Sequence, residues 1–260
     1  MRSIVLPRHA RKIVALCLLI VSVALFALAS RADAGVAPRT ARKASELVTN
    51  ADAHARGKIP FDPIAIDGVL AYAPPTRTRD RVVVYLHGIH GRAENGCPHL
   101  RAGASSVGWL VCPEANVVEA PGFTWGGSVS DKRAIVSRAE QAAYARGADP
   151  SKPGVIVGFS QGSYVALELV RARLGRYEGL VLLGADVEPD ARELARAGVR
   201  RVVLGSGDRD APRAALERTA ARLRKEGVEA RFTSLGAVGH TYVAEDPAAL
   251  ADAIAWAGGA

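Results

Sequence analysis

The sequence predicts one α/β domain, built on a mostly parallel central sheet with helices on both faces. Two observations carry this. From Arg81 onwards, short runs rich in Val, Ile and Leu alternate with longer helical stretches, and Gly or Pro separates them. The short runs are continuously apolar instead of alternating, which suits strands covered on both faces. Such alternation builds βαβ units, whose functional residues collect at the carboxyl ends of the strands. No internal repeat or low-complexity linker interrupts the pattern.

The N-terminus comes first in chain order. Arg8, Arg11 and Lys12 form a basic lead, Ile13 to Ala29 carries no charge, and two small-residue sites follow at Ala27-Leu28-Ala29 and Ala32-Asp33-Ala34. Basic start, apolar middle and A-x-A end are the parts of a secretory signal. Residues 1–34 are expected to be that signal, leaving 35–260 as the mature domain and a secreted or periplasmic location. The competing reading is an uncleaved membrane anchor, since the apolar run approaches the roughly 20 residues of a spanning helix. Bulky Leu16 argues against Cys17 as a lipid-attachment site. Removal of residues 1–34 takes away Arg2, Arg8, Arg11, Lys12, Arg31 and Asp33. The net charge then falls from +8 to +4, because 29 of 34 bases and 25 of 26 acids remain. Those bases are scattered Arg without interleaved aromatics, so no nucleic-acid partner is expected. No stable membrane insertion is expected after cleavage.

Residues 35–58 read as an arm with weak helix signals, and Gly68 to Tyr72 as a short β-like piece amid prolines. Arg81–Leu86 is the first buried-type strand and Trp109–Cys112 the second. Ser130–Tyr144 reads as a helix ended by Gly147 and Pro150. Strand Gly154–Phe159 and helix Gln161–Leu174 follow, then strand Leu180–Leu183 and helix Pro189–Ala197. Arg201–Leu204 with Ala211–Glu226, and Ala230–Leu235 with Pro247–Trp256, complete the alternation.

Cys97 and Cys112 are the cysteines of the mature chain, and in an exported protein they are expected to form a disulfide. His87, His90, Cys97 and His99 lie close together in sequence, but their spacing fits no common zinc module, so no metal site is expected.

Gly158-Phe159-Ser160-Gln161-Gly162 follows a strand and opens a helix, the setting in which G-x-S-x-G signals a nucleophilic serine. The glycines permit a tight turn that lifts the hydroxyl clear of the sheet. The Gln161 N–H then faces the developing oxyanion. The plainer alternative is a serine that merely caps the helix. A serine hydroxyl needs a base, and His240 is the histidine downstream, in the loop after the last strand. Asp208 and Asp210, after the preceding strand, are both candidates for the acid that orients the imidazole. Either could instead cap the following helix, and Asp186 is a weaker third candidate. The turn at His87-Gly88-Ile89-His90-Gly91 follows the first regular strand, where a second oxyanion donor belongs.

With these motifs placed, the chain resembles the α/β-hydrolase superfamily over nearly all of residues 35–260. His87-Gly88 resembles its oxyanion loop and Gly158-Phe159-Ser160-Gln161-Gly162 its nucleophile elbow. The elbow is similar to that of the carboxylesterase, acyl-protein thioesterase and dienelactone-hydrolase-like branch. The resemblance implies Asp210 as the acid, with Asp208 in reserve, and the Ile89 backbone as second oxyanion donor. It also implies a substrate-facing aromatic loop at Phe123-Thr124-Trp125-Gly126-Gly127, where Trp125 either walls an acyl pocket or belongs to the core. Ala211-Pro212-Arg213 departs from the Pro-Val that commonly follows the acid in this branch, and no lid-sized insertion is present.

The expected activity is hydrolysis of a small-molecule or polymer ester, or of a thioester, through a Ser-Asp-His triad without metal or organic cofactor. Acyl transfer or amide hydrolysis on the same triad is the nearest alternative. A binding protein that keeps the fold without the chemistry is the more distant one.

Overall fold

Ile64–Ile66 (β1) and Val69–Tyr72 (β2) pair antiparallel across a turn at Gly68, and β2 runs antiparallel to Gly108–Cys112 (β4). The computed structural model describes residues 63–66 and 68–260. The expected signal (1–34) and arm (35–58) lie outside these described residues. From β4 the sheet turns parallel, through Arg81–Leu86 (β3), Gly154–Phe159 (β7), Tyr177–Leu183 (β8), Arg201–Ser206 (β9) and Glu229–Ser234 (β10). The spatial order is β1-β2-β4-β3-β7-β8-β9-β10. Val117–Glu119 (β5) and Gly122–Thr124 (β6) form a separate antiparallel hairpin.

The expected strands are therefore present, and the continuous apolar runs have the predicted cause. In β3, Val82, Val84 and Leu86 pack into one core cluster, while Val83 and Tyr85 pack into the other. Successive side chains point to opposite faces of a strand, so a strand covered on both sides keeps no polar position. One face carries Val129–Tyr144 (α2), Gln161–Arg171 (α3), Ala191–Ala197 (α4) and Arg213–Lys225 (α5). The other carries Ala93–Val107 (α1) and Pro247–Ala257 (α6).

Local signals set several helix starts. Ser128 and Asp131 make a reciprocal capping box on α2, and Asp190 accepts from Arg192 and Glu193 at the start of α4. Asp246 caps α6 ahead of Pro247. The β5–β6 hairpin and the helix α1 have no counterpart in the sequence reading. The helix α1 contains Gly96, Pro98 and Gly103, poor helix formers all. Packing accounts for the glycines. A Cβ on Gly96 would overlap the Tyr85 ring, and one on Gly103 would stand 2.7 Å from the Ala251 carbonyl oxygen of α6. Tertiary contact has overridden local propensity. Among the described residues, no helix is long and apolar enough to cross a membrane.

Beneath α2 lies a buried polar network. Glu140, 4% exposed, accepts from the Tyr177 hydroxyl at 2.7 Å and pairs with Arg133 at 2.7 Å. Burial and the Glu140 charge both push the Tyr177 phenol well above its ordinary value, so it stays a neutral donor. Removing one member of a buried pair strands the others. Glu140→Ala is expected to cost about 3 kcal/mol in urea unfolding while leaving activity per folded molecule unchanged, since the network lies away from Ser160.

Candidate active site

Ser160 occupies the turn between β7 and α3 with φ 51° and ψ −118°, a left-side conformation that few non-glycine residues adopt. Two glycines make this turn possible. A Cβ on Gly158 would overlap the Gly162 carbonyl, and one on Gly162 would overlap the carbonyl oxygen of Leu86 at the end of β3. The elbow is tied down from below. Ser160 N–H donates to the Leu183 carbonyl at 2.8 Å, and buried Ser163 Oγ lies 2.8 Å from the Gly158 carbonyl. The same Oγ accepts from Leu183 N–H at 3.0 Å. Although Ser160 stands at the N-cap position of α3, its side chain makes no capping hydrogen bond. Its hydroxyl lies instead 3.0 Å from His240 Nε2.

His240 follows β10, and its Nδ1 lies 3.1 Å from both carboxylate oxygens of Asp210. Asp210 is 8% exposed. The neighbouring Asp208 is exposed and turned away, bonded to Arg213 and to Ser234 Oγ. Neither aspartate caps α5, which begins behind Pro212 with no side-chain cap. Asp186 is exposed beyond β8, with its carbonyl accepting from Tyr164 Oη at 3.3 Å. Thus Ser160, His240 and Asp210 come together, and Asp208 and Asp186 do not join them.

The loops carrying the acid and the histidine hold each other. Asp208 N–H donates to the Gly236 carbonyl at 2.8 Å and Arg209 N–H to the Val238 carbonyl at 3.0 Å. Glu245 accepts from Ala237 N–H at 2.7 Å, closing the histidine loop from its far side. Below the imidazole, Gly184 adopts φ 62°, and a Cβ there would stand 3.2 Å from His240 Cε1 and 3.3 Å from Asp210 Oδ2. Beside it, the Phe159 ring lies 4.9 Å from the His240 ring, and Tyr242 meets Phe159 edge-on at 5.0 Å. Gly184, Phe159 and Tyr242 escaped the sequence reading. Phe159 stood in the elbow motif as a variable position, and the Gly after β8 was the available signal for Gly184.

Gln161 is the first residue of α3, so its N–H has no acceptor within the helix. Its side chain is fully used: Oε1 accepts from Trp125 N–H at 3.0 Å and Nε2 donates to the Trp125 carbonyl at 3.2 Å. Gly88 lies against the serine, where an added Cβ would be 3.1 Å from Ser160 Cβ. This closeness puts the following Ile89 peptide at the mouth of the site, with the Ile89 side chain exposed.

Trp125, expected in a substrate-facing loop, is buried at 4% exposure. Its Nε1 donates to the His87 carbonyl at 2.9 Å and its ring leans on the His87 imidazole, 5.4 Å between centroids. It supports the His87–Gly88 segment from beneath, and the loop expected there contains part of the β5–β6 hairpin. His87 itself is spent on the backbone. Nε2 accepts from Ala115 N–H at 3.1 Å, so Nδ1 carries the proton shared with the Gly88 carbonyl at 2.8 Å. Cys97 faces Cys112, their Cα atoms 6.1 Å apart, a separation that suits a disulfide. His99 packs its ring against Tyr242. His87, His90, Cys97 and His99 therefore do not converge, and no group of three or more His, Cys, Asp or Glu among the described residues is placed to hold a metal ion.

No family model matches the chain, and no curated protein matches it. Solved structures do. The TT1662 protein from Thermus thermophilus is 22% identical, with 76% of this chain and 96% of that one covered at a TM-score of 0.55. An esterase from Pyrobaculum calidifontis is 18% identical, with coverages of 84% and 88% and a TM-score of 0.57. FphF, a fluorophosphonate-binding serine hydrolase from Staphylococcus aureus, is 14% identical, covering 76% and 99% at 0.56. At these identities the likeness is one of fold. The chain has the α/β-hydrolase fold.

Burial sets the charge of His87. Desolvation lowers its pKa below the ordinary value, against smaller opposing pulls from the Gly88 carbonyl and Glu114. The unfolded chain takes up a proton near pH 6.5, whereas folded His87 does so only at lower pH. Its contribution to stability is therefore complete above about pH 6.5 and is lost as pH falls through the folded value. His87→Phe, which leaves Ala115 N–H without its acceptor, should cost about 1–3 kcal/mol at pH 7.5. Thermal melts between pH 7.5 and 5 should also show a shallower acid decline in the variant than in the wild type.

Proposed function

We propose that this chain is an exported serine hydrolase that cleaves a carboxylic ester through an acyl-enzyme on Ser160. The observation that carries the proposal is the placement of His240, 3.0 Å from Ser160 Oγ through one ring nitrogen and 3.1 Å from Asp210 through the other. That arrangement suits a base that accepts the serine proton while a buried carboxylate fixes its tautomer. The strained elbow and the solved esterases and serine hydrolases of the same fold support the same reading.

The chemistry runs in two halves. Ser160 Oγ attacks the ester carbonyl carbon as its proton passes to His240 Nε2. The negative charge on the carbonyl oxygen is held by the N–H groups of Gln161 and Ile89. Nε2–H then protonates the departing alcohol as the carbon–oxygen bond breaks, leaving the acyl group on Ser160. Water attacks the acyl-enzyme while giving its proton to His240, and that proton returns to Ser160 as the acid leaves. Asp210 holds Nδ1–H throughout and stabilises the imidazolium.

Steady-state hydrolysis of a p-nitrophenyl ester series checks the assignment. Ser160→Ala and Asp210→Asn should each lower kcat on the order of 10³-fold or more, whereas Asp208→Asn should lose less than about tenfold. Equal losses in the two Asp variants would remove Asp210 from its role. Labelling by a fluorophosphonate that fails on folded protein would favour a binding function. Ester products formed with added alcohol would favour acyl transfer.

Export after Ala34 belongs to the same proposal, and with it a disulfide between Cys97 and Cys112. The bridge would join α1 to the end of β4, three residues before Ala115, whose N–H holds His87. For a sequence separation of 15 the cross-link stabilises by about 3 kcal/mol. The secreted protein is therefore expected to resist thiol alkylation until reduced, and then to unfold at lower urea concentration.

A further inference from the structure

Large apolar side chains are exposed at five described positions: Ile89, Val117, Val118, Tyr164 and Val243. Single exposed apolar residues are ordinary on a protein surface, but their concentration is not. All five lie at the carboxyl end of the parallel strands, on four different connections. Ile89 follows β3, Val117 and Val118 follow β4, Tyr164 is in the first turn of α3 after β7, and Val243 follows β10. The outer surface of α5, in contrast, carries Arg213, Glu217, Arg222 and Glu226 in ion pairs.

Each position is tied to the reacting groups. Ile89 follows Gly88, which abuts Ser160. Tyr164 bonds through its hydroxyl to the Asp186 carbonyl, two residues beyond the Gly184 that underlies His240. Val243 follows Tyr242, whose ring meets Phe159. The hairpin is latched to the loop after Ile89: Phe123 N–H donates to the Gly91 carbonyl at 2.9 Å, and His90 Nε2 lies 3.4 Å from Glu119.

Val117 and Val118 are neighbours on one strand, so their side chains leave opposite faces. They are 40% and 80% exposed. Val117 leans on Gly126, where an added Cβ would meet its Cγ2 at 2.6 Å, whereas Val118 leaves the other face almost uncovered and buries little by folding. Ile89, Val118, Tyr164 and Val243 thus stand exposed on the four connections at the Ser160 end of the sheet, a rim that suits contact with an extended apolar phase. Three exposed carboxylates, Glu119, Asp186 and Glu245, sit among them and disfavour an anionic membrane surface.

We infer that this rim adsorbs the protein to a condensed phase of neutral, water-insoluble aliphatic ester and delivers ester bonds from it to Ser160. The inference rests on the esterase reading and specifies the physical state of its substrate. Adsorption and hydrolysis separate the two. Ser160→Ala of the exported protein should sediment with tributyrin droplets, and Ser160→Ala/Val118→Asp should bind at least about tenfold more weakly, the loss expected for withdrawing one apolar contact and adding a charge. With Ser160 intact, Val118→Asp should hydrolyse dissolved p-nitrophenyl acetate at the wild-type rate but emulsified tributyrin about tenfold more slowly. Equal droplet binding by the two proteins would overturn the inference, as would preferential binding to anionic phospholipid vesicles. If dissolved ester is cleaved and droplets are ignored, the rim reading fails and the esterase reading stands. If droplets are bound through Val118 and no ester is cleaved, the esterase reading fails alone.

Discussion

Gly162 approaches the carbonyl end of β3 so closely that a single methyl group would collide with Leu86. This contact between a helix start and a neighbouring strand end sets the position of everything around it. It lets α3 begin immediately after Ser160, which forces the serine into its unusual dihedrals and lifts the hydroxyl off the sheet. It also puts the Gln161 N–H beside the loop that leaves β3. The strain at Ser160 persists because the surroundings over-determine it: Leu183 and Ser163 bind the turn from the β8 side.

The remainder of the site is arranged by parallel strands ending at one level. Ser160, Asp210 and His240 come from β7, β9 and β10, strands that are not consecutive neighbours, and β8 lies between the serine and the acid. What β8 contributes is space. Gly184 at its end leaves the gap that the imidazole fills, and a side chain there would press on both His240 and Asp210. The acid and histidine loops are then fastened by backbone hydrogen bonds, so the short-range geometry of His240 depends on few side chains. Asp208 belongs to that fastening, bonded to Ser234 and Arg213.

The parallel core was legible in the sequence, and so were Ser160 and His240 as the pair that the structure brings together, because their signals are local. Val82 to Leu86 and Val155 to Val157 are apolar without alternation, and the Gly-Phe-Ser-Gln-Gly turn stands where a strand must become a helix. Separating Asp210 from Asp208 required geometry or resemblance, since both occupy one short loop. The helix α1 was illegible because its glycines answer to Tyr85 and Ala251, residues remote in sequence. The hairpin was hidden for a different reason. Its strands have three residues each and its apolar pair is exposed on both faces, so neither period nor burial pattern marks it. For Trp125 the sequence left a pocket wall and a core position open, and burial decides for the core, where its indole N–H finds an acceptor at the His87 carbonyl.

The paired hydrogen bonds between the Gln161 side chain and the Trp125 backbone give the hairpin a fixed point of attachment. Everything from Val117 to Thr124 lies on the outer side of that point, and everything that holds the serine lies on the inner side. An engineer could therefore exchange the tip of the hairpin for one of another length or polarity, provided Trp125 and Gln161 keep their mutual bonds and Phe123 keeps its bond to the Gly91 carbonyl. The surface beside the site would change while Ser160 stayed in register. A graft that moved Trp125 would transmit its error directly to Gln161, the residue that follows Ser160.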